Sequence, residues 1–348
     1  MKHTHLHTRL LALLLCCALV LPLSACGEAK STTQQIFAMD TVMDLTAYGK
    51  KADDGINAAI SIINSMDTLL DPENERSKTY EINHAMGSPV VVNEQIAKML
   101  RTALTVYERT NGAFDLTTYP LSKLWGFIDQ NYRVPSDAEI ERLLPCVDMR
   151  KVQLAATDDS ANSLVTMPTD MALSFGAVAK GCASDYAIQA MRAAGVTSGV
   201  VSLGGNVQTL GKKPDGSDWN IAIQDPNDTG SYLGYLTVGE TAVITSGSYQ
   251  RYFTEGGQKY HHILSPTTGR PVNNGLLAVT IVCEDGTLAD CLSTAMFVLG
   301  PQAALNYWRT YGGFEMLLVK TDGHVVLTNG LYGQFTPNGD SYVVDYAS

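Results

Sequence analysis

The apolar residues of this chain change their spacing from one stretch to the next. In Thr41–Tyr48 (TVMDLTAY) they alternate as in a half-buried strand, whereas Ile56, Ile60, Ile63, Met66 and Leu70 recur at the spacing of an amphipathic helix over 54–70. Helical spacing returns over 93–110, ending near Asn111-Gly112, and over 178–194, where Gly195 fits the residue just past a helix end. Then come strand-like stretches at 199–203, 219–224, 231–237, 242–245 and 277–282, a helix at 288–299, and a hairpin of 314–319 and 325–328 around Asp322-Gly323. Helices and strands do not alternate as regular βαβ units. The expectation is an α+β fold: one mixed domain with helices packed on largely antiparallel sheets.

The first residues stand apart from that domain. Lys2 and Arg9 precede an apolar run, LLALLLCCALVL, and the run ends in Leu23-Ser24-Ala25-Cys26. This is the order of a secretory signal, and an apolar core of roughly 12 residues is too short for a membrane-spanning helix, which needs about 20. Leu-Ser-Ala-Cys resembles a bacterial lipobox, so residues 1–25 are expected to be a lipoprotein signal peptide and Cys26 a lipidated N-terminus. That places the protein outside the cytoplasm, lipid-anchored to a bacterial cell membrane. The polar stretch 26–35 reads as a flexible tether, and 36–348 as the folded domain.

The formal charge is −11 and becomes two units more negative once Lys2 and Arg9 are removed. A surface so acidic is a poor match for nucleic acid, whose phosphates take cations to neutralise. Cys146, Cys182, Cys283 and Cys291 lack the C-x-x-C spacing of zinc or redox sites and read as buried small side chains.

Four stretches carry chemistry. On a helix, Asp290 and Thr294 lie four apart on one face with Ser293 beside them, a hard oxygen set suited to Mg²⁺. Alternatively, Thr287 caps that helix and Asp290 closes a capping box. Lys180 opens a helix after a glycine-containing turn, where a phosphate would offset its charge; the plainer reading is a solvated lysine. His262 can take a hydroxyl proton near neutral pH, or be an ordinary imidazole. Thr245-Ser246-Gly247 is either turn chemistry or a contact to a pyrophosphate or to metal-bound water. Phe114 and Trp125 read first as core.

Together these blocks resemble the ApbE family of flavin transferases. Gly112-Ala113-Phe114-Asp115, Pro120-Leu121 and Leu124-Trp125-Gly126-Phe127 are similar to its G-x-F-D…PL…LWGF. Gly176-Ala177-Val178-Ala179-Lys180-Gly181 with Asp185 is similar to its G-G-x-A-K-G-x-x-x-D. Thr245 to Tyr249, Arg251-Tyr252-Phe253, His262-Ile263-Leu264-Ser265-Pro266 and Thr268 to Val272 follow, then Ala289-Asp290-Cys291-Leu292-Ser293-Thr294-Ala295.

The resemblance implies a Mg²⁺-dependent enzyme that transfers FMN from FAD to a Thr/Ser hydroxyl of an acceptor protein and releases AMP. It implies metal ligands at Asp290, Thr294 and the Ala177 carbonyl. Contacts to FAD are implied at Met39, Ala113, Phe114, Asp115, Ser174, Lys180, Leu264 and Ser293, and His262 is the candidate general base. The alternatives are a FAD pyrophosphatase and a non-catalytic FAD-binding lipoprotein. Two positions depart from the family pattern: Ser174 and Ser265 stand where it usually has Asp, replacing a charge with a neutral hydroxyl.

Overall fold

The alternating segment Thr41–Tyr48 is a strand, β2, and it is not the first. Ser31–Ala38 forms β1, paired antiparallel with β2 in unbroken register from Ser31↔Tyr48 to Ala38↔Thr41. The structure, a computed structural model, describes residues 30–347. The expected tether is thereby corrected, because from Ser31 onward it is strand. β1 is the edge of its sheet and mostly faces water, so polar cross-strand contacts replace an apolar pattern: Gln35 donates to Asp44 at 2.8 Å, and the Thr33 and Thr46 hydroxyls are 3.0 Å apart. The expected signal peptide and Cys26 lie outside the described residues.

Helix α1 (Ala52–Leu70) buries Ile56, Ala59, Ile63, Met66 and Leu70 on one face. There follow α2 (Lys78–Asn83), β3 (Val90–Asn93) and α3 (Glu94–Arg109), the last capped by the Asn93 side chain accepting from Ile96 N–H at 3.1 Å. Next come α4 (Tyr119–Leu124), α5 (Asp137–Leu143), β4 (Gln153–Ala156), β5 (Asn162–Thr166) and α6 (Ala179–Ala193), after which Gly195 takes φ +92° as the spacing predicts. The second half holds β6 (Gly199–Leu203), β7 (Asn206–Leu210), β8 (Trp219–Gln224), β9 (Tyr232–Val238), β10 (Ala242–Gly247), β11 (Tyr252–Glu255), β12 (Gln258–His261) and β13 (Leu276–Cys283). It continues with α7 (Gly286–Leu299), α8 (Pro301–Tyr311), β14 (Glu315–Lys320), β15 (His324–Thr328), β16 (Phe335–Pro337) and β17 (Val343–Ala347).

A nine-stranded sheet in the order β1-β2-β6-β7-β10-β13-β14-β15-β17 organises the molecule, and its pairs are antiparallel except β15 with β17. Helices cover one face, and the small sheet β16-β9-β8 covers part of the other. Alternate residues show the division: Met316 and Leu318 of β14 join the helix-side core with Ile56, Met191 and Leu292, whereas Leu317 and Val319 join Trp219, Ile221 and Leu236. Burial on both faces is why this strand reads as a continuous apolar run. The α+β expectation holds. A third cluster, Leu121, Trp125, Phe127, Ile140 and Leu264, lies under the separate β11–β12 hairpin.

Candidate active site

Helices α6 and α7 approach each other at their first turns. Gly181 makes this possible, because a Cβ there would stand 2.1 Å from the Gly286 carbonyl oxygen and 2.6 Å from Asp290 Cβ. The third residue of a helix has an N–H with no partner inside the helix, and the Gly181 N–H donates to Asp290 Oδ2 at 2.8 Å. Its i−4 neighbour is Ala177, and among the described residues no backbone N–H donates to the Ala177 carbonyl. The other Asp290 oxygen accepts from Asn206 Nδ2 at 3.0 Å, and the residue is 4% exposed.

The capping-box alternative for Asp290 does not hold. The N-cap of α7 is Asp285, which accepts from Leu288 N–H at 2.9 Å, and the Thr287 hydroxyl donates to Asp185 at 2.6 Å. One turn on, Ser293 Oγ donates to the Asp290 carbonyl at 2.9 Å. Ser246 Oγ, on β10, lies 2.8 Å from Ser293 Oγ and 3.2 Å from Thr294 Oγ1. Asp290, Ser293, Thr294 and Ser246 thus form one polar cluster beside the first turn of α6.

Behind it, buried Asp185 accepts from Gly286 N–H at 2.8 Å, Thr287 N–H at 3.0 Å, Gln208 Nε2 at 3.0 Å and Lys98 Nζ at 2.8 Å. Burial alone would raise the Asp185 pKa, but the Lys98 charge and these hydrogen bonds hold it below the usual carboxylate range. For Lys98 burial works downward, and Asp185 with Asp285, 3.3 Å away, overcomes it and raises the amine to about 12.

Lys180 is half-buried, and among the described residues no carboxylate pairs with it. His262, also half-buried, has Nδ1 3.1 Å from the Arg251 carbonyl, and its backbone N–H donates to the same oxygen at 3.1 Å. A carbonyl only accepts, so the proton sits on Nδ1 and Nε2 keeps a bare lone pair, an assignment made from the hydrogen-bond network. Desolvation and then the Arg251 charge, with a smaller contribution from Lys180, push the imidazole down to about 3. Phe127 meets the ring edge-on, with centroids 6.4 Å apart. Neighbouring His261 is structural: buried, its Nε2 lies 2.8 Å from the Val272 carbonyl.

The remaining expected contacts are more dispersed. Met39 sits in the β1–β2 turn at φ +48°, its N–H donating to Asp67 Oδ1 at 2.8 Å. Phe114 is 1% exposed in the main core, and the Asp115 carboxylate accepts from Thr117 N–H at 2.7 Å and Met149 N–H at 3.1 Å. Both side chains are therefore committed inside the protein, which leaves Ala113, half-buried, and the backbone there to meet a ligand. Ser174 N–H donates to the Leu116 carbonyl at 3.1 Å, joining this stretch to the approach to α6, and Ser174 Oγ accepts from Gly176 N–H at 3.2 Å. Leu264 is buried in the cluster around Trp125, and Ser265 Oγ, 2.9 Å from Thr267 Oγ1, braces a local turn.

Sequence reasoning missed Asn206, Lys98 and Gln208. No spacing rule links residues so far apart in the chain. The donor set of one carboxylate, one accessible hydroxyl and one unpaired carbonyl suits a hard cation that keeps waters and shares a phosphate, as Mg²⁺ does.

The ApbE family model matches residues 39–318. A FAD:protein FMN transferase of Klebsiella pneumoniae is 31% identical over 285 residues, 81% of this chain and 87% of that protein. One of Treponema pallidum is 29% identical, covering 88% of this chain and 90% of that protein. The crystal structure of the ApbE protein from Thermotoga maritima superposes with a TM-score of 0.81 at 31% identity, over 88% of this chain and 99% of that one. The matched region runs from the Met39 turn through the α6–α7 contact and on into β14, and on that footing the chain belongs to the ApbE family.

Proposed function

We propose that this protein is a FAD:protein FMN transferase that moves FMN from FAD onto a serine or threonine hydroxyl of an acceptor protein, with release of AMP. The observation that carries the reading is the diversion of the Gly181 N–H to Asp290, which leaves the Ala177 carbonyl without its helical partner beside that carboxylate. Asp290, Thr294 and the Ala177 carbonyl would hold Mg²⁺, which would supply positive charge to the phosphate oxygens as the diphosphate is cleaved.

The chain's own groups do the rest. Lys180, which among the described residues pairs with no carboxylate, offers a cation to the diphosphate. His262 Nε2 accepts the proton of the incoming hydroxyl, whose oxygen bonds to the phosphorus on the FMN side. The bridging P–O bond of the diphosphate breaks, and its electron pair leaves with AMP. Binding an anion beside Lys180 and Arg251 offsets the cations that depress the imidazole and makes it a stronger base in the loaded site than in the free protein. A lipidated Cys26 tethering the domain on the outer side of a cell membrane is proposed on the lipobox resemblance of 23–26.

The test is to incubate the chain with FAD and a hydroxyl-bearing acceptor, with and without Mg²⁺, and to record the acceptor's intact mass. A gain of one FMN that needs Mg²⁺ and disappears in Asp290→Ala is expected. Free FMN and AMP with an unlabelled acceptor would make the protein a pyrophosphatase, and intact FAD throughout would make it a binding protein.

A further inference from the structure

β11 and β12 form a two-stranded sheet of their own, turned at Gly256-Gly257 with φ +59° and +78°. One face is anchored. Phe253 and Tyr260 stack at 5.3 Å, Tyr132 stacks on Phe253 at 5.3 Å, and Trp125 lies 5.5 Å from Tyr260. The other face carries Tyr252, Thr254 and Lys259 into solvent, with the Lys259 ammonium 3.9 Å above the Tyr252 ring. The base of the hairpin is the catalytic neighbourhood itself, since Arg251 leads into β11 and His262 leaves β12.

The register identifies which backbone groups are unused. The His262 N–H donates to the Arg251 carbonyl, so in the alternation of an antiparallel pair the 253↔260 and 255↔258 positions face inward. Tyr252 and Thr254 therefore direct their N–H and C=O groups away from β12, and among the described residues no third strand takes them. On β12 the outward positions are His261, which is buried, and Lys259, which is exposed, so β11, with both Tyr252 and Thr254 exposed, presents the longer open edge.

The local charge is inverted relative to the rest of the chain. Between Ala242 and Cys283 there is one acidic residue, Glu255, against Arg251, Lys259 and Arg270, in a protein with 35 acidic and 24 basic side chains. Arg270 is paired with Asp137, whereas among the described residues Lys259 faces no carboxylate partner.

We infer that the hairpin is the docking arm for the acceptor protein: an acidic, extended acceptor segment adds as a third strand along β11 and so brings its hydroxyl to His262. This rests on the transferase reading. Backbone pairing on the open edge provides a sequence-tolerant grip, and the cations select an acidic segment. An exposed edge is otherwise a liability, and a partner strand would cover it.

The probes are a synthetic peptide with a single threonine among aspartates and a counterpart with asparagine at each aspartate. The variants are Lys259→Glu, which reverses the charge, and Thr254→Pro, which deletes one outward N–H without touching the pairing to β12. FMN transfer is followed by peptide mass, and FAD affinity by flavin fluorescence. Transfer favouring the acidic peptide, with its KM raised about tenfold or more in either variant and FAD affinity unchanged, is the expected result. Equal transfer to both peptides, or an unchanged KM in both variants, overturns the docking inference and leaves the transferase reading standing. No transfer by the wild-type chain to either peptide overturns the docking inference; if folded acceptor proteins also remain unlabelled, the transferase reading falls with it.

Discussion

Asp185 and Asp290 cap each other's helices. The carboxylate of Asp185, on α6, accepts the first N–H groups of α7 at Gly286 and Thr287, and the carboxylate of Asp290, on α7, accepts the N–H of Gly181 in the first turn of α6. A helix N-terminus attracts negative charge through its free N–H groups and its dipole, so each aspartate stabilises the other's helix. The exchange also fixes Asp290 before any ligand arrives, so little reorganisation is needed when a cation binds.

Asp185 braces the first turns of α6 and α7. Asp185→Ala leaves Lys98 with only the more exposed Asp285 and strands two backbone N–H groups at the start of α7. Losing one partner of a buried ion pair costs about 3–5 kcal/mol. Urea unfolding of the variant checks this, and a loss below about 1 kcal/mol would contradict the assignment. The pH dependence has two signs. The depressed Asp185 pKa contributes stability above the unfolded value of about 3.9, lost as pH falls below it, whereas the raised Lys98 contributes stability below about 10.4, lost as pH climbs through about 12.

Gly181→Ala tests the closeness of the two helices. The added methyl meets backbone oxygen and a Cβ, neither of which can rotate aside, so the helices must separate. Overpacking of this kind costs about 1–3 kcal/mol. Because the displacement acts on the bond to Asp290, the midpoint of Mg²⁺ dependence should rise along with the loss in melting temperature. A variant that melts lower but keeps the wild-type Mg²⁺ midpoint would separate the brace from the proposed metal site.

The parts of this architecture visible in the sequence share a physical origin. Thr41–Tyr48, Gly199–Leu203 and Trp219–Gln224 have the bounds read from their residue patterns, because each is a sheet strand with a clear burial pattern. β1 escaped notice because an edge strand needs no apolar pattern, and α8 because only Ala304 and Tyr307 of its residues are buried. At the site, Asp290, Ser293 and Thr294 were legible because one helix sets their spacing. Asn206 and Lys98 reach the same cluster from other elements, and such contacts leave no local pattern.

Asn206→Ala measures what such an unseen residue contributes. It removes the donor to Asp290 Oδ1 in a buried setting, where a hydrogen bond to a charged group is worth about 1.5–3 kcal/mol. An outer partner that orients a metal ligand typically costs about 10–100-fold in metal affinity when lost. Calorimetric titration of Mg²⁺ into the FAD-loaded variant should show a weakening of that order. An unchanged affinity would mean that the Gly181 N–H alone holds the carboxylate.

His262 should betray its environment through pH. An unfolded imidazole titrates near 6.5, whereas in the folded chain desolvation, Arg251 and Lys180 bring it down to about 3. The neutral folded form is therefore favoured above about 6.5, and as pH falls from there toward 3 the unfolded state takes up a proton that the folded state refuses. Wild-type melting temperature should fall more steeply across that window than that of His262→Ala, and parallel curves would refute the neutral assignment. In catalysis, kcat/KM reports the free enzyme and kcat the loaded one. Since on the proposed reaction a bound diphosphate would offset the charges of Lys180 and Arg251, the acid limb should lie at higher pH in kcat than in kcat/KM. A His262→Ala variant that transfers FMN within about threefold of wild type would remove the imidazole from the reaction, because general-base catalysis is worth about 10²–10⁴-fold.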